Sequence, residues 1–305
     1  MARSDAQAGA DRAAGSFLIV LSATSFGFLA FFASHARARG LSSETLLFLR
    51  FAVASLFLLA ITLGRRERWP RGGRLLGLIA MGAIGYVGEA LCYFKALERI
   101  PAGLVALLLY LYPGLVAILS RLFYRAVLDR RRVLALVLAM VGTLLTIGPV
   151  GRGNLEGVLL GLGSALLYSL YIVAGVALTR GVAAMVSTTI VCLSAAASYG
   201  LLVVARGATW PHAWQDWWPV LGIALVSTVV AILTFFAGLT RVGPVRASTL
   251  STLEALTTVV VGAALMGERL TLVQCAGGAL IVVAAVLMAR ASQTTTRRES
   301  SAPPD

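Results

Sequence analysis

Three charged side chains stand inside long apolar runs of this sequence: Arg50, Glu89 and Glu254. Glu254 lies near the middle of residues 245–268, VRASTLSTLEALTTVVVGAALMGE, a stretch of helix length. A carboxylate at the centre of a membrane helix costs about 3 kcal/mol on insertion scales, so an acid in that place reads as a working group. Its chemistry would be to hold a substrate ammonium or to carry a coupling proton. The structural alternative is a protonated acid bonded to Ser251 or Thr258, one turn away on the same helix. Counting 1.5 Å per residue, Glu254 falls about 14 Å from one membrane face, and Arg50 and Glu89 about 10 Å below the other. Opposite charges at one depth on successive helices predict an intramembrane ion pair, because an unpaired charge there is costly. Such a pair would either clamp two spans together or gate the cavity beside them.

Aromatic residues accompany these charges. Tyr112 is followed by Pro113, which removes a backbone donor, crowds the preceding turn and predicts a helix kink. Exposed carbonyls at such a kink are one way that broken transporter helices hold substrate, and a plain packing kink is the alternative. Phe26 and Tyr168 fall near mid-depth, Tyr171 lies one turn from Tyr168, and Tyr93 one turn beyond Glu89. The expected substrate-binding set is therefore Glu254, Tyr112, Phe26, Tyr168, Tyr171 and Tyr93. Nothing resembles a catalytic arrangement: the apolar runs hold no Ser/His or Asp/Asp grouping, and no nucleotide-binding loop is present. Cys92, Cys192 and Cys275 are single residues in separate runs, and His35 and His212 fall in loops. No enzyme activity, cofactor, metal site or disulfide is expected.

The elements that must position these residues are membrane helices. Mean hydropathy is +0.88, and 59% apolar against 13% charged residues excludes an ordinary soluble domain. Ten apolar runs of about 20 residues, the length that crosses a hydrocarbon core, fall near 15–34, 44–63, 75–96, 102–123, 132–149, 156–178, 184–205, 217–239, 245–266 and 271–290. The first is longer than the apolar core of a signal peptide and reads as a retained span. Residues 1–14 form a polar tail, and 291–305, rich in Pro, Ser and Thr, are expected to be a disordered one.

The net charge of +13 could suggest nucleic acid. The basic residues, however, sit in short clusters between apolar runs, which is a topological signal, so no nucleic-acid partner is expected. With the N-terminus inside, the cytoplasmic side holds the clusters Arg65 to Arg74 and Arg121 to Arg132, together with Arg297 and Arg298. The outer side holds few basic residues, among them Arg37, Arg39 and Arg206. Both termini are therefore placed in the cytoplasm of a multi-pass cell (inner or plasma) membrane protein, and Trp210, Trp214, Trp217 and Trp218 form an outer interfacial belt.

Sliding the chain on itself so that Gly15 falls on Gly157 also brings Phe26 onto Tyr168, Phe94 onto Phe236 and Arg99 onto Arg241, without a gap. The span ends align as well, which makes 15–149 and 156–290 two copies of a five-helix unit. Five is odd, so the second copy must cross in the opposite sense. The predicted fold is an all-α integral membrane protein of ten helices in two inverted repeats, the architecture that places substrate near the midplane.

In order and at repeat spacing, the chain carries LFLRFAVASLF (47–57), ALERIPAGLVALLLYLYPGLVAIL (96–119) and GLTRVGPVRASTLSTLEALTTVVVGAALMGERLT (238–271). These segments resemble the EamA family of the drug/metabolite transporter superfamily over residues 15–290. The chain departs from that pattern at Phe26-Gly27, where the family often carries Trp-Gly, and at YRAVLD, where the first half would end its fourth span in GERL. The resemblance implies a carrier of small metabolites, often an exporter of amino acids or related amines. The expected function is accordingly secondary-active or facilitative export of small polar metabolites by alternating access, with protons as a coupling partner. The alternatives are an exporter of cationic or aromatic drugs and a receptor or assembly partner that does not transport.

Overall fold

The computed structural model describes residues 2–97, 99–100, 102–126, 129–147, 154–267 and 271–299. In hydrocarbon an isolated apolar run satisfies its own backbone only as a helix, and every regular element among the described residues is helical. Among the described residues eight helices have the length and hydropathy to cross a membrane: Gly9–Ala38, Ser43–Gly64, Gly73–Tyr93, Leu104–Tyr124, Leu155–Thr179, Ala184–Arg206, Trp214–Val242 and Pro244–Leu265. Of the other two expected runs, one opens on Arg130, Arg131 and Arg132 and the other is a shorter apolar helix, Leu272–Met288.

In chain order the helices are α1 (Ala2–Gly27), α2 (Leu29–Ala38), α3 (Ser43–Gly64), α4 (Gly73–Ala80), α5 (Val87–Leu97), α6 (Ala102–Leu109), α7 (Tyr112–Tyr124) and α8 (Arg130–Ile147). They continue with α9 (Leu155–Thr179), α10 (Ala184–Arg206), α11 (Trp217–Ala224), α12 (Ala231–Val242), α13 (Pro244–Ser251), α14 (Leu253–Leu265) and α15 (Leu272–Glu299). Among the described residues side chains cap four starts: Ser42 accepts the Thr45 N–H, Asp129 the Arg132 N–H, Asn154 the Gly157 N–H and Thr271 the Gln274 N–H, satisfying donors that no helical carbonyl reaches. Helix α1 begins at Ala2 and α15 runs to Glu299, so helix extends into the segments expected as tails. Residues 148–149 at the expected end of the fifth span, 268–270 of GERLT and 300–305 of the tail lie outside the described residues.

Among the described residues five spans are irregular in mid-course, the first of them at Phe28, between α1 and α2. A wide π turn, Met81–Tyr86, separates α4 from α5, and another, Leu225–Val230, separates α11 from α12. Between α6 and α7 the chain breaks at Tyr110 and Leu111, just ahead of Pro113, which has no N–H to give to the Leu109 carbonyl. Between α13 and α14 it breaks at Thr252, where no proline is involved. These interruptions turn side chains off the regular helical spacing.

Helices from the two halves of the chain pack against each other. Helix α1 lies on α12, α3 on α10, α5 on α9, α7 on α13 and α8 on α15. Gly142 of α8 and Gly277 of α15 let two backbones touch: a Cβ on Gly277 would stand 2.6 Å from the Gly142 carbonyl and 2.7 Å from the Thr146 nitrogen. Between lipid-facing helices, where no water is expelled, such close packing supplies much of the association. The largest buried cluster, including Phe51, Ile172, Tyr199 and Phe236, lies where the halves meet.

Candidate functional site

The irregular spans border a cavity of about 390 Å3 between the two halves. Its wall takes Phe26 from α1, Arg50 from α3, Glu89 and Tyr93 from α5, and Tyr112 from α7. From the second half come Tyr168 and Tyr171 of α9 and Glu254 of α14. All the residues singled out in sequence as substrate contacts or as intramembrane charges thus meet in one space.

Tyr112 is part of this wall. Its ring packs edge-on against Tyr168 with centroids 4.7 Å apart, and Tyr168 stacks on Tyr171 at 6.3 Å. The Tyr112 hydroxyl donates to the Ser248 carbonyl at 3.1 Å, joining α7 to α13. The Ser169 hydroxyl donates to the Tyr112 carbonyl at 3.3 Å. The kink therefore serves packing between helices and also borders the cavity, since Leu109, whose carbonyl loses a helical donor to Pro113, is a wall residue.

The expected ion pair between Arg50 and Glu89 is not formed. Arg50 Nε donates to Thr228 Oγ1 at 2.6 Å, and Nη2 donates to the Tyr86 hydroxyl and the Ser227 carbonyl, both at 3.0 Å. Glu89 Oε1 instead accepts from the Ser164 hydroxyl at 3.0 Å. The physical reason lies in the π turn at Leu225–Val230: it presents a carbonyl and a hydroxyl to the guanidinium, so neutral groups supply bonds that a carboxylate would otherwise make. Both residues still face the same cavity.

Glu254 also departs from its structural alternative. The Thr258 hydroxyl donates at 3.0 Å to the Glu254 backbone carbonyl, not to its carboxylate. Among the described residues the carboxylate has no hydrogen-bond partner and opens on the cavity.

Several wall residues were not anticipated: Tyr86, Tyr110, Thr146, Phe235 and Thr258. Tyr86 precedes Glu89 by three positions and Thr258 follows Glu254 by four, so helical spacing could have found both. Tyr110 could not be found that way. Residues two apart point to different sides of a regular helix, and only the break before α7 lets Tyr110 and Tyr112 share a wall.

A bundle of lipid-length helices around a cavity lined by aromatic and charged side chains is the form of a multi-pass membrane transporter. The chain matches the EamA-like transporter family over residues 13–148 and again over 155–290. It belongs to that family, whose members are transporters rather than enzymes. An uncharacterized transporter of Archaeoglobus fulgidus is 30% identical over 272 residues, spanning 87% of this chain and 92% of the relative. A solved crystal structure shares the fold with a TM-score of 0.80 at 21% identity, covering 92% of this chain and 98% of its own.

Proposed function

We propose that the protein exports small polar metabolites bearing an amine, such as amino acids or related amines, by alternating access around this cavity. The observation that carries the reading is Glu254: a carboxylate without a hydrogen-bond partner among the described residues, in a space lined by both halves of the chain. Such a group suits a substrate ammonium, and exchange of that ammonium for a proton would couple export to a proton gradient.

An inverted repeat of ten spans, with copies at 15–149 and 156–290, is favoured by the pairing of the helices. If the two halves are related by a two-fold axis, contact of the first span with the eighth requires contact of the sixth with the third; α1 on α12 and α5 on α9 fit that rule. The breaks before α7 and α14 also fall at repeat-equivalent positions, Tyr110 and Thr252. With both termini in the cytoplasm of the cell membrane, wall residues such as Ala30, Leu47, Tyr93 and Thr146 belong to the outer halves of their spans. The buried residues Phe236 and Leu239 lie toward the inner ends. This arrangement describes an outward-open state. Export of cationic aromatic compounds is the second reading, favoured by the aromatic wall, whose ring faces attract cations.

The test is transport in proteoliposomes under an imposed pH gradient. Glu254→Gln is expected to abolish proton-coupled transport while the protein remains folded and inserted. A variant that transports at the wild-type rate with unchanged pH dependence would return Glu254 to a structural role. Competition between amino acids and cationic dyes separates the two readings.

A further inference from the structure

We infer that a second cavity, at the end of the bundle nearest Arg132 and Arg246, binds the phosphate of an anionic membrane phospholipid. This cavity, of about 310 Å3, lies where α7 and α8 of the first half meet α9, α12, α13 and α15 of the second. Among the described residues it shares no wall residue with the cavity proposed for substrate. With both termini in the cytoplasm, it falls at the level of the inner leaflet.

The charged part of its wall is basic. Arg132 comes from the start of α8, and Arg246, only 8% exposed, from the first turn of α13. Arg12 of α1 stands near enough for its charge, with that of Arg132, to act on Arg246. Among the described residues no carboxylate lines the cavity. Asp129, just outside, accepts the Arg132 backbone N–H and stands 3.9 Å from its Nε. Asp11, next to Arg12 in sequence, pairs with Arg241 at 3.0 Å.

Two further features suit an anion. The first backbone bond into α13 runs from the Ala247 N–H to the Gly243 carbonyl. The N–H groups of Val245 and Arg246 therefore stand at the positive end of that helix, where phosphate groups bind. Ser120, also on the wall, is fully buried, and its hydroxyl has no hydrogen-bond partner. Thr143 and Thr146 of α8, by contrast, each donate to the carbonyl four residues back. A buried hydroxyl left unbonded is costly, and a ligand oxygen would accept its proton.

The remaining wall points to a lipid rather than a soluble anion. Val176, Val242 and Met288 make it apolar. Tyr124 lines the cavity and is also 43% exposed, so the cavity reaches the flank of the bundle. There Leu122 and Phe123, in the same last turn of α7, are exposed too. A phospholipid can set its phosphate among the arginines and lay its acyl chains along these side chains. Basic recesses between membrane helices on the cytoplasmic side seat anionic head groups in this way.

The experiment is native mass spectrometry of the full-length protein in detergent, titrated with dioleoyl phosphatidylglycerol or dioleoyl phosphatidylcholine. The first bound phosphatidylglycerol is expected to be held about tenfold more tightly than phosphatidylcholine. Arg132→Gln and Arg246→Gln should each weaken it about fivefold, and Ser120→Ala about threefold. Arg65→Gln, in the other basic cluster on the same side, should leave it unchanged. Ser120→Ala removes only an unbonded hydroxyl, so it keeps the test open if an arginine variant does not fold. Millimolar inorganic phosphate, at matched ionic strength, should not displace the lipid. Displacement would overturn the lipid assignment in favour of a soluble anion. Equal affinity for the two lipids, or an equal loss in Arg65→Gln and Arg246→Gln, would overturn the site itself.

Discussion

Gly277→Ala probes how closely the halves must approach. The new methyl would stand 2.6 Å from the Gly142 carbonyl oxygen, 2.6 Å from Thr146 Oγ1 and 2.7 Å from the Thr146 nitrogen. Carbon in ordinary contact sits at about 3.5–4.0 Å, so α8 and α15 would have to separate by roughly 1 Å. Two of the three obstacles are backbone, which cannot rotate aside. Overpacking of this kind costs about 1–3 kcal/mol. Gly163→Ala is the control, since its methyl would meet only Cys92 Sγ at 3.8 Å, an ordinary contact. Unfolding of both variants in detergent, followed by tryptophan fluorescence, should place Gly277→Ala several degrees below wild type and leave Gly163→Ala unchanged. Gly142→Ala should behave like Gly277→Ala, because its methyl would stand 2.7 Å from the Gly277 carbonyl. Equal midpoints for Gly277→Ala and Gly163→Ala would refute the reasoning that backbone contact holds these two helices together.

Tyr112→Phe deletes the bond to the Ser248 carbonyl but keeps the ring, so stability should fall by about 0.5–1.5 kcal/mol and substrate affinity only mildly; ligand titration with parallel unfolding checks both. Pro113→Ala restores the N–H that Leu109 lacks, yet the break should persist and transport continue, because the chain also breaks at Thr252 without a proline; hydrogen exchange at residues 109–113 would report closure of the helix if this is wrong. Glu89→Ala should not rescue the folded yield of Arg50→Ala, since Arg50 is held by neutral groups; partial rescue would revive the ion pair. With Cys92, Cys192 and Cys275 replaced, a cysteine at Ala208 should react with an impermeant maleimide in intact cells, and reaction only after permeabilisation would reverse the topology.

The sequence alone determined the solvent, the helical class and the family. Apolar runs of membrane length admit no other regular backbone, and the family segments stand at repeat spacing in both halves. It also marked Glu254, Arg50, Glu89 and the aromatic set, because charge inside hydrocarbon is costly enough to stand out against a uniform background. Tertiary structure decided the partners. Depth along a helix is legible from residue counting, but rotation about its axis is altered by each π turn and break. Those interruptions carried Tyr110 and Tyr112 to the same wall. They also gave Arg50 a carbonyl and two hydroxyls in place of Glu89. Hydrogen bonds act over about 3 Å, a tolerance finer than sequence spacing can resolve. The choice between an ion pair with Glu89 and bonds to neutral groups was therefore made where the helices meet.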